Sequence, residues 1–367
     1  MGKWGLIFGS VIILTGLGAV YLAACVGRFG MIKKLADGKR WLRLLISYGV
    51  IGAVFGVLVL TMSTVNAAMV LLHEVLFFLI FGLAARIIRR VRGKDLRFNF
   101  QGWLAIGTSV VYLTVGWMLC HKVWKTEYSL STDKEVGTLR IALIADSHVG
   151  TTFDAAGFAE HLRTIEEQSP DILLLPGDFI DDKTTAENMR GACEALGAMD
   201  LKYGVWFSYG NHDQGYYRKQ GYEPSDLEKA LTDSGIHVLN DRYELVDDRF
   251  YIVGRMDKSR GPDRKDMTAL LEGADTDKYI IVLDHEPNDY DAEAASAADL
   301  VVSGHTHGGQ LLPATFVGEW LGMNDKTYGY ERRNDTDFIV TSGISDWEIK
   351  FKTGTKSEYV IIDITGK

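Results

Sequence analysis

The hydrophobic positions divide this 367-residue chain into two parts with different patterns. The first part holds four apolar runs, and each reaches the roughly 18 to 22 residues that a helix needs to cross a hydrocarbon core. None of the runs contains proline, and glycines recur at helix-packing spacing, as Gly52 and Gly56 do. The pattern predicts an all-α four-helix transmembrane bundle within residues 1–120. The runs are residues 5–26, 44–62, 65–85 and 103–120.

From about residue 138 the pattern changes to short apolar runs that alternate with amphipathic segments. A 3.6-residue period predicts helices at 158–168, 185–196 and 225–233, the last with a capping box of Ser225 and Glu228. After a linker at 121–137, the remaining roughly 230 residues are enough for one large α/β core. The bounded apolar runs predict buried strands at residues 138–145, 171–175, 204–209, 279–283, 299–302, 338–341 and 359–364.

The two parts also differ in charge. Residues 1–120 hold three acidic and thirteen basic residues, which leaves 45 acidic and 26 basic residues, a formal charge of −19, after residue 120. Because short cytoplasmic loops are rich in basic residues, we expect the loops after the first and third runs to be cytoplasmic. The N-terminus and the large C-terminal part then lie outside the cytoplasm. The basic residues are Arg28, Lys33, Lys34, Lys39, Arg40 and Arg43 in one loop and Arg86, Arg89, Arg90, Arg92, Lys94 and Arg97 in the other.

An alternative for the first run is a cleaved signal with a lipidated Cys25, since Leu22-Ala23-Ala24-Cys25 resembles a lipobox. The basic loop that follows the run opposes this alternative, because a signal peptide carries its basic end first. With only Cys25, Cys120 and Cys193, the chain has no disulfide framework. The intramembrane pair His73 and Glu74 either hydrogen-bonds within the bundle or serves an ion path or a lipid headgroup.

Metal-binding side chains follow five of the predicted strands, and five of the nine histidines lie among them. Each motif by itself is more often a turn with a capping carboxylate. Because α/β sheets bind ligands at the carboxyl ends of their strands, the five together predict a metal site. The motifs are Asp146-Ser147-His148, Gly177-Asp178 with Asp181, Gly210-Asn211-His212-Asp213, Asp284-His285 and Gly304-His305-Thr306-His307. We expect structural roles for His73, His121, His161 and His237.

This ordered set, D-x-H, G-D-x-x-D, G-N-H-D, a single H after a strand, and G-H-T-H, resembles the calcineurin-like metallophosphoesterase superfamily from about residue 138 to the end. The D-S-H, L-D-H-E-P and G-H-T-H-G-G-Q stretches are most similar to bacterial membrane-attached phosphoesterases. Some relatives of that group cleave the pyrophosphate of UDP-2,3-diacylglucosamine. The resemblance implies an α/β fold in which a two-sheet sandwich is flanked by helices.

The resemblance also implies a centre of two divalent metal ions bridged by Asp178. Its carboxylate, amide and imidazole ligands suit manganese, iron or zinc. Such a pair of cations lowers the pKa of a bridging water, so that hydroxide can attack phosphorus. The implied ligands are Asp146, His148, Asp178 and His307 for one ion and Asp178, Asn211, His285 and His305 for the other. The resemblance pairs His212 with Asp181 as the general acid; the alternative is a histidine that only supports the ligands.

One departure from the superfamily bears on the substrate. Where protein serine/threonine phosphatases carry phosphate-clamping arginines, this chain has Asp182 and Tyr209. Their absence favours a phosphodiester or pyrophosphate over a dianionic monoester. The charge of −19 after residue 120 disfavours nucleic acid as a partner.

These features predict a membrane-anchored phosphoesterase that meets the lipid bilayer and hydrolyses a phosphodiester or pyrophosphate, with lipid-linked and nucleotide-sugar compounds as candidate substrates. The alternative is a catalytically silent binding or regulatory module on a membrane bundle. That alternative predicts eroded ligands, whereas all the implied ligands are present. A transporter with a regulatory phosphoesterase domain has little support from one intramembrane ionisable pair.

Overall fold

The computed structural model describes residues 3–93, 99–215, 221–261 and 263–367. The chain forms two compact units, with the boundary between Gly116 and Trp117. Lys94 and Arg97, which belong to the second basic loop, lie outside the described residues.

The first unit is helical, and four of its helices are long and apolar enough to cross a membrane. They correspond to the four predicted runs, although α4 continues past residue 85 through its basic end and stops at Gly93, whose φ of 62° suits a helix C-terminus. A short helix in the first basic loop was not predicted. The helices are α1 (Lys3–Val26), α2 (Gly30–Leu35), α3 (Arg40–Thr61), α4 (Thr64–Arg92) and α5 (Phe100–His121), of which α5 extends into the second unit.

Side chains from α1, α4 and α5 form the centre of this bundle. Leu22, Leu71 and Ala105 are buried there, and so is Cys25. His73 is also buried, and its Nδ1 lies 2.8 Å from the carbonyl oxygen of Met69. This contact agrees with hydrogen bonding inside the bundle.

The second unit contains two six-stranded sheets, which run in the orders β1-β12-β2-β3-β4-β5 and β10-β11-β9-β8-β7-β6. The first comprises β1 (Trp124–Ser131), β2 (Thr138–Leu143), β3 (Ile172–Pro176), β4 (Val205–Ser208), β5 (His237–Leu239) and β12 (Glu358–Thr365). The second comprises β6 (Arg242–Val246), β7 (Phe250–Gly254), β8 (Tyr279–Leu283), β9 (Leu300–Ser303), β10 (Gly329–Arg333) and β11 (Thr336–Val340). The helices are α6 (Ala155–Glu166), α7 (Ala186–Gly197), α8 (Pro224–Asp233), α9 (Met267–Leu270), α10 (Tyr290–Ala294) and α11 (Val317–Trp320).

The two sheets pack face to face, with helices on their outer faces. Ile141 of β2 and Ile281 of β8 belong to the apolar layer between the sheets. Phe158 of α6 and Leu227 of α8 cover the first sheet, and Tyr290 of α10 covers the second. Strands buried on both faces read as continuous apolar runs, which is why most of the central strands could be predicted. The buried strand β7 was not predicted. The predicted α/β two-sheet sandwich is confirmed.

Two local predictions were wrong. Residues 124–131 were assigned to the linker, but they form β1, which pairs in parallel with β12 along eight residues. As an edge strand, β1 has alternating half-buried and exposed positions and no continuous apolar run. The predicted capping box of Ser225 is also absent, because α8 begins at Pro224, which suits the first helical position, and Asp226 accepts from the backbone N–H of Glu223 at 2.8 Å.

Candidate metal centre

Parallel strands deliver the predicted ligands to one end of the sandwich. Asp146 follows β2, Asp178 follows β3 and Asn211 follows β4, while His285 follows β8 and His305 follows β9. β2, β3 and β4 are parallel neighbours, as are β8 and β9 in the other sheet. Two groups of candidate metal ligands result, and in each the ligand atoms lie within 4.8 Å of one another. The groups are Asp146, His148 and His307, and Asp178, His285 and His305.

Asn211 and Asp178 complete this arrangement. The Oδ1 atom of Asn211 lies 3.2 Å from Nε2 of His285 and 3.0 Å from Nδ1 of His305. The Oδ2 atom of Asp178 lies 3.1 Å from Nε2 of His285 and 3.7 Å from Nε2 of His148. Asp178 therefore faces both groups, as a bridging carboxylate would.

Unusual backbone conformations turn the ligands inward. Five of the predicted ligands are non-glycine residues with φ between 38° and 69°, in the left-handed region. Such conformations are strained and persist where the surrounding structure enforces them, which is common at functional sites. They explain how two histidines separated by one residue, His305 and His307, can each join one of the two adjacent ligand groups. The five residues are Asp146, His148, Asp178, His305 and His307.

Two glycines allow the ligand loops to approach one another. A Cβ atom at Gly304 would lie 2.5 Å from Oδ2 of Asp146. A Cβ atom at Gly210 would collide with both the backbone nitrogen and the side chain of Asp178. These motif glycines therefore serve close packing between loops.

Asp213, the last residue of G-N-H-D, ties two of these loops together. Its buried carboxylate accepts from the backbone N–H groups of Asp178 (2.7 Å), Phe179 (2.8 Å), Ile180 (3.0 Å) and Gly210 (2.8 Å). No role was predicted for Asp213 from the sequence, although it is the last residue of the G-N-H-D motif. Its position next to His212 is the sequence feature that could have identified it.

The charges packed among the buried ligands shift their pKa values in different directions. Opposing effects act on His285, where burial lowers the pKa but the charge of Asp178 raises it well above the ordinary value. Burial raises the pKa of Asp178, but His285 and the other imidazoles hold it well below its ordinary value. Burial keeps the pKa of His148 well below its ordinary value. Asp178 and His148 are thus held in the ionised and neutral forms that metal ligands need, whereas the charge of Asp178 favours a proton on His285, which a bound cation would have to displace.

The hydrogen bonds of the ligands point the same way. The Nδ1 atom of His285 lies 2.8 Å from the carbonyl oxygen of Pro176, so that Nε2 faces the other ligands Asp178 and Asn211. Both ring nitrogens of His148 are buried, and within the described residues neither makes a hydrogen bond. The residues present therefore fit a divalent metal centre.

Comparison with known proteins agrees with this geometry. The calcineurin-like phosphoesterase family model matches residues 139–309. An uncharacterized metallophosphoesterase of Aquifex aeolicus is 32% identical over 252 residues, which cover 66% of this chain and 91% of that protein. The chain belongs to the calcineurin-like metallophosphoesterase family. The fold of this family implies a divalent metal centre, and the two ligand groups are its candidate ligands.

Two further relatives concern the membrane part. An uncharacterized metallophosphoesterase of Campylobacter jejuni is 28% identical over 294 residues, covering 77% of this chain and 76% of that protein. A zebrafish transmembrane protein with a metallophosphoesterase domain is 30% identical over 237 residues, covering 60% of this chain and 52% of that protein, about half its length. With four candidate spans of its own, this metallophosphoesterase is a membrane protein.

The proposed acid of the metallophosphoesterase, His212, lies beside the first ligand group. Its ring centroid is 5.1 Å from that of His148 and 5.3 Å from that of Trp347. Asp181, its predicted partner, lies 3.5 Å from Nδ1 of His148 and accepts from Thr151 Oγ1 at 3.0 Å. Burial raises the pKa of Asp181. The structure thus brings His212, His148 and Asp181 into one cluster, with His148 in contact with the other two.

A second carboxylate of the metallophosphoesterase, Asp346, was not found from the sequence. It is 1% exposed, and its Oδ1 atom lies 3.4 Å from Nδ1 of His307. The same oxygen accepts from Nε2 of Gln310 at 3.0 Å, and Oδ2 accepts from Sγ of Cys120 at 3.0 Å. Asp346 therefore fixes the ring of His307. No motif surrounds it in the sequence, so only the fold reveals it.

Proposed function

We propose that this chain is a membrane-anchored, dinuclear-metal phosphoesterase that hydrolyses a phosphodiester or a pyrophosphate. The position of Asp178 carries the proposal, because its Oδ2 atom lies 3.1 Å from His285 and 3.7 Å from His148, one in each ligand group. One cation would be held by Asp146, His148, Asp178 and His307. The other would be held by Asp178, Asn211, His285 and His305.

When bound, two such cations polarise phosphoryl oxygens and make water acidic enough to attack near neutral pH. The chain's own side chains supply the remaining chemistry. His212 lies against His148 and Trp347, where its imidazolium can protonate the leaving oxygen. The backbone N–H of His212 donates to Oδ1 of Asp178 at 2.9 Å, so the acid and the shared ligand hold a fixed separation.

The groups near the centre support a diester or pyrophosphate over a monoester. Tyr209 is 5% exposed, and its hydroxyl donates to Oε2 of Glu228 at 3.1 Å, so it is engaged within the fold. Asp182 occupies the other position where the protein phosphatases have arginine. A monoester dianion needs bidentate cationic donors, and neither residue is one.

We also infer four membrane spans and an extracytoplasmic metal centre, which the two basic loops support. Lys202→Cys tests the orientation, because Lys202 is an exposed residue of the second unit and the three native cysteines are buried. A membrane-impermeant maleimide should label this cysteine in intact cells. Labelling only after lysis would reverse the orientation.

The activity is tested with the full-length protein in lipid nanodiscs. The metal is removed with a chelator, and manganese, iron or zinc is then returned. We expect hydrolysis of a chromogenic phosphodiester in preference to the matching monoester, loss of turnover in Asp178→Asn, and normal turnover in Asp233→Asn on the exposed face of α8. If metal binds tightly and neither the esters nor a nucleotide-sugar pyrophosphate are hydrolysed, the silent-module alternative is correct.

A further inference from the structure

An exposed apolar surface lies directly after the H-T-H turn. Residues 311–323 contain a single charged side chain, Glu319, which accepts from the backbone N–H of Thr327. Large apolar side chains in this segment face outward, and Trp320 is 75% exposed. Contiguous exposed apolar surface marks interaction sites. The surface, called the 312–321 patch below, consists of Leu312, Phe316, Trp320 and Leu321.

The patch is held in place by the metal-bearing domain. The backbone N–H of Leu312 donates to Oγ1 of Thr353 at 3.0 Å, and the backbone N–H of Thr353 donates to the carbonyl of Gln310 at 2.8 Å. Phe316 and Trp320 lie one helical turn apart, with ring centroids separated by 6.5 Å. The two exposed rings are therefore neighbours on a segment that is hydrogen-bonded to the rest of the domain.

The strand directions show which end of the first sheet carries the start of β1. β12 is antiparallel to β2, with Val360 opposite Leu143, and parallel to β1, with Glu358 opposite Trp124. The first residue of β1 therefore lies at the same end of the sheet as the carboxyl end of β2, which delivers Asp146. Only residues 122 and 123 separate β1 from the end of the candidate span α5, a reach of about 10 Å at most. Asp146 therefore lies at the same end of the first sheet as Trp124, the residue that follows this short connection.

A shared carboxylate brings the patch to that helix end. Asp346 accepts from Sγ of Cys120, in the last turn of α5, and from Nε2 of Gln310, each at 3.0 Å. Gln310 immediately precedes the patch segment. All three residues belong to the second unit. Cys120 at the end of α5 and Gln310 next to the patch therefore bind the same carboxyl group, that of Asp346.

The chain around the helix end has the composition of a membrane interface. The Nζ atom of Lys122 lies 4.2 Å from the ring centroid of Trp124, and that of Lys356 lies 6.0 Å from it. Tryptophan at the headgroup level and lysines that meet anionic headgroups are typical of residues next to a membrane span. The composition of this stretch therefore suits a bilayer interface.

We propose that the 312–321 patch inserts into the bilayer interface beside the metal centre, and that the scissile phosphate belongs to an amphiphile whose apolar part stays in the bilayer. The proposal rests on the proposed function, because it assigns a substrate class to the same centre. The patch starts five residues after His307, so an amphiphile held there presents its headgroup to the metal ligands.

Insertion is tested with an environment-sensitive fluorophore on Trp320→Cys. The full-length protein is placed in nanodiscs of phosphatidylcholine and phosphatidylglycerol that contain lipids with a nitroxide on the acyl chain. Lys202→Cys is the matched control, because Lys202 precedes β4 and lies at the opposite end of the sheet from Asn211. The unsubstituted protein gives the background, since its three cysteines are buried.

We expect strong quenching at position 320 and none at position 202. Equal quenching at the two positions would overturn the proposal. So would an unquenched label at position 320 that transfers energy to a second labelled copy, which would mean that the patch is an interface between two chains. An unquenched label that becomes shielded only when another protein is added would have the same consequence.

The substrate class is tested with two p-nitrophenyl alkyl phosphodiesters that differ only in a methyl or a hexadecyl chain. Since binding of a remote apolar group can be used at the reacting centre, we expect the hexadecyl ester to be preferred at least about tenfold in kcat/KM. The double variant Trp320→Ser/Leu321→Ser should lose this preference and keep its activity on the methyl ester. Equal activity of the unsubstituted protein on both esters would refute the inference alone, whereas no activity on either ester or on a nucleotide-sugar pyrophosphate would refute the proposed function.

Discussion

The Oδ1 atom of Asp346 lies 3.4 Å from Nδ1 of His307. A carboxylate in this position orients the imidazole and increases its basicity towards a metal at Nε2. We therefore expect Asp346→Ala to weaken metal affinity by about 10- to 100-fold, as measured by competition with a chromogenic chelator.

Glu358→Gln is the matched control for Asp346. Glu358 is a buried carboxylate of the same region that accepts from Tyr328 and Thr341 and contacts no ligand. Its variant should lower the unfolding temperature and leave metal affinity unchanged. If both variants bound metal as well as the unsubstituted protein, Asp346 would have only a structural role.

Asp213 accepts four backbone hydrogen bonds, so its replacement leaves several buried N–H groups without an acceptor. We expect Asp213→Ala to destabilise the second unit by about 3 kcal/mol. For a domain of this size, that corresponds to a fall of roughly 6 to 12 °C in the unfolding midpoint. Hydrolysis should fall as well, because the loops of Asp178 and Asn211 separate. An unchanged midpoint in differential scanning calorimetry would contradict this role.

Gly304→Ala should disrupt the first ligand group without removing any ligand. The added Cβ atom would lie 2.5 Å from Oδ2 of Asp146, so that one of the two loops must move. We expect the stoichiometry of tightly bound metal to fall from two ions to one, as measured by elemental analysis after gel filtration. If the variant bound as much metal as the unsubstituted protein and kept normal turnover, the two loops could move apart without loss of metal binding or activity.

Arg255 neutralises a buried acidic cluster, with its Nη1 atom 3.1 Å from Asp284 and 3.2 Å from Glu293. Removing one partner of such a network leaves a buried charge without a partner. We therefore expect Arg255→Met to destabilise the second unit by about 3 to 5 kcal/mol. Lys202→Met, which removes an exposed charge, should have little effect on the unfolding midpoint.

The Arg255→Met effect should depend on pH. Burial, followed by the charge of Asp284, raises the pKa of Glu293 well above its ordinary value even with Arg255 present. A carboxyl group with a raised pKa binds more protons in the folded state than in the unfolded state, so stability falls as pH rises through that range. The variant should therefore be closest to the unsubstituted protein at low pH and lose most at high pH. Thermal unfolding at several pH values measures this trend.

The ligand set was accessible to sequence analysis because each ligand follows a buried strand within five residues. His148 and His305 are examples, since a short apolar run and a glycine or aspartate mark their positions. The relation between Asp346 and His307 was not accessible, because 38 residues separate them and only the sheets bring them together. Likewise, β1 shows no apolar run, because an edge strand is half exposed. Its pairing with β12 was not accessible either, because the two strands lie at opposite ends of the domain's sequence.

Because β1 pairs with β12, the segment that follows the candidate span α5 also completes the edge of the first sheet. A protease that cut the chain between residues 122 and 123 would release a domain with every strand in place. Cleavage after residue 131 would instead strip β1 away and uncover the edge of β12, whose unpaired backbone groups then invite association with other chains. Release of a domain with a complete first sheet is therefore restricted to cleavage at the two residues between helix and sheet.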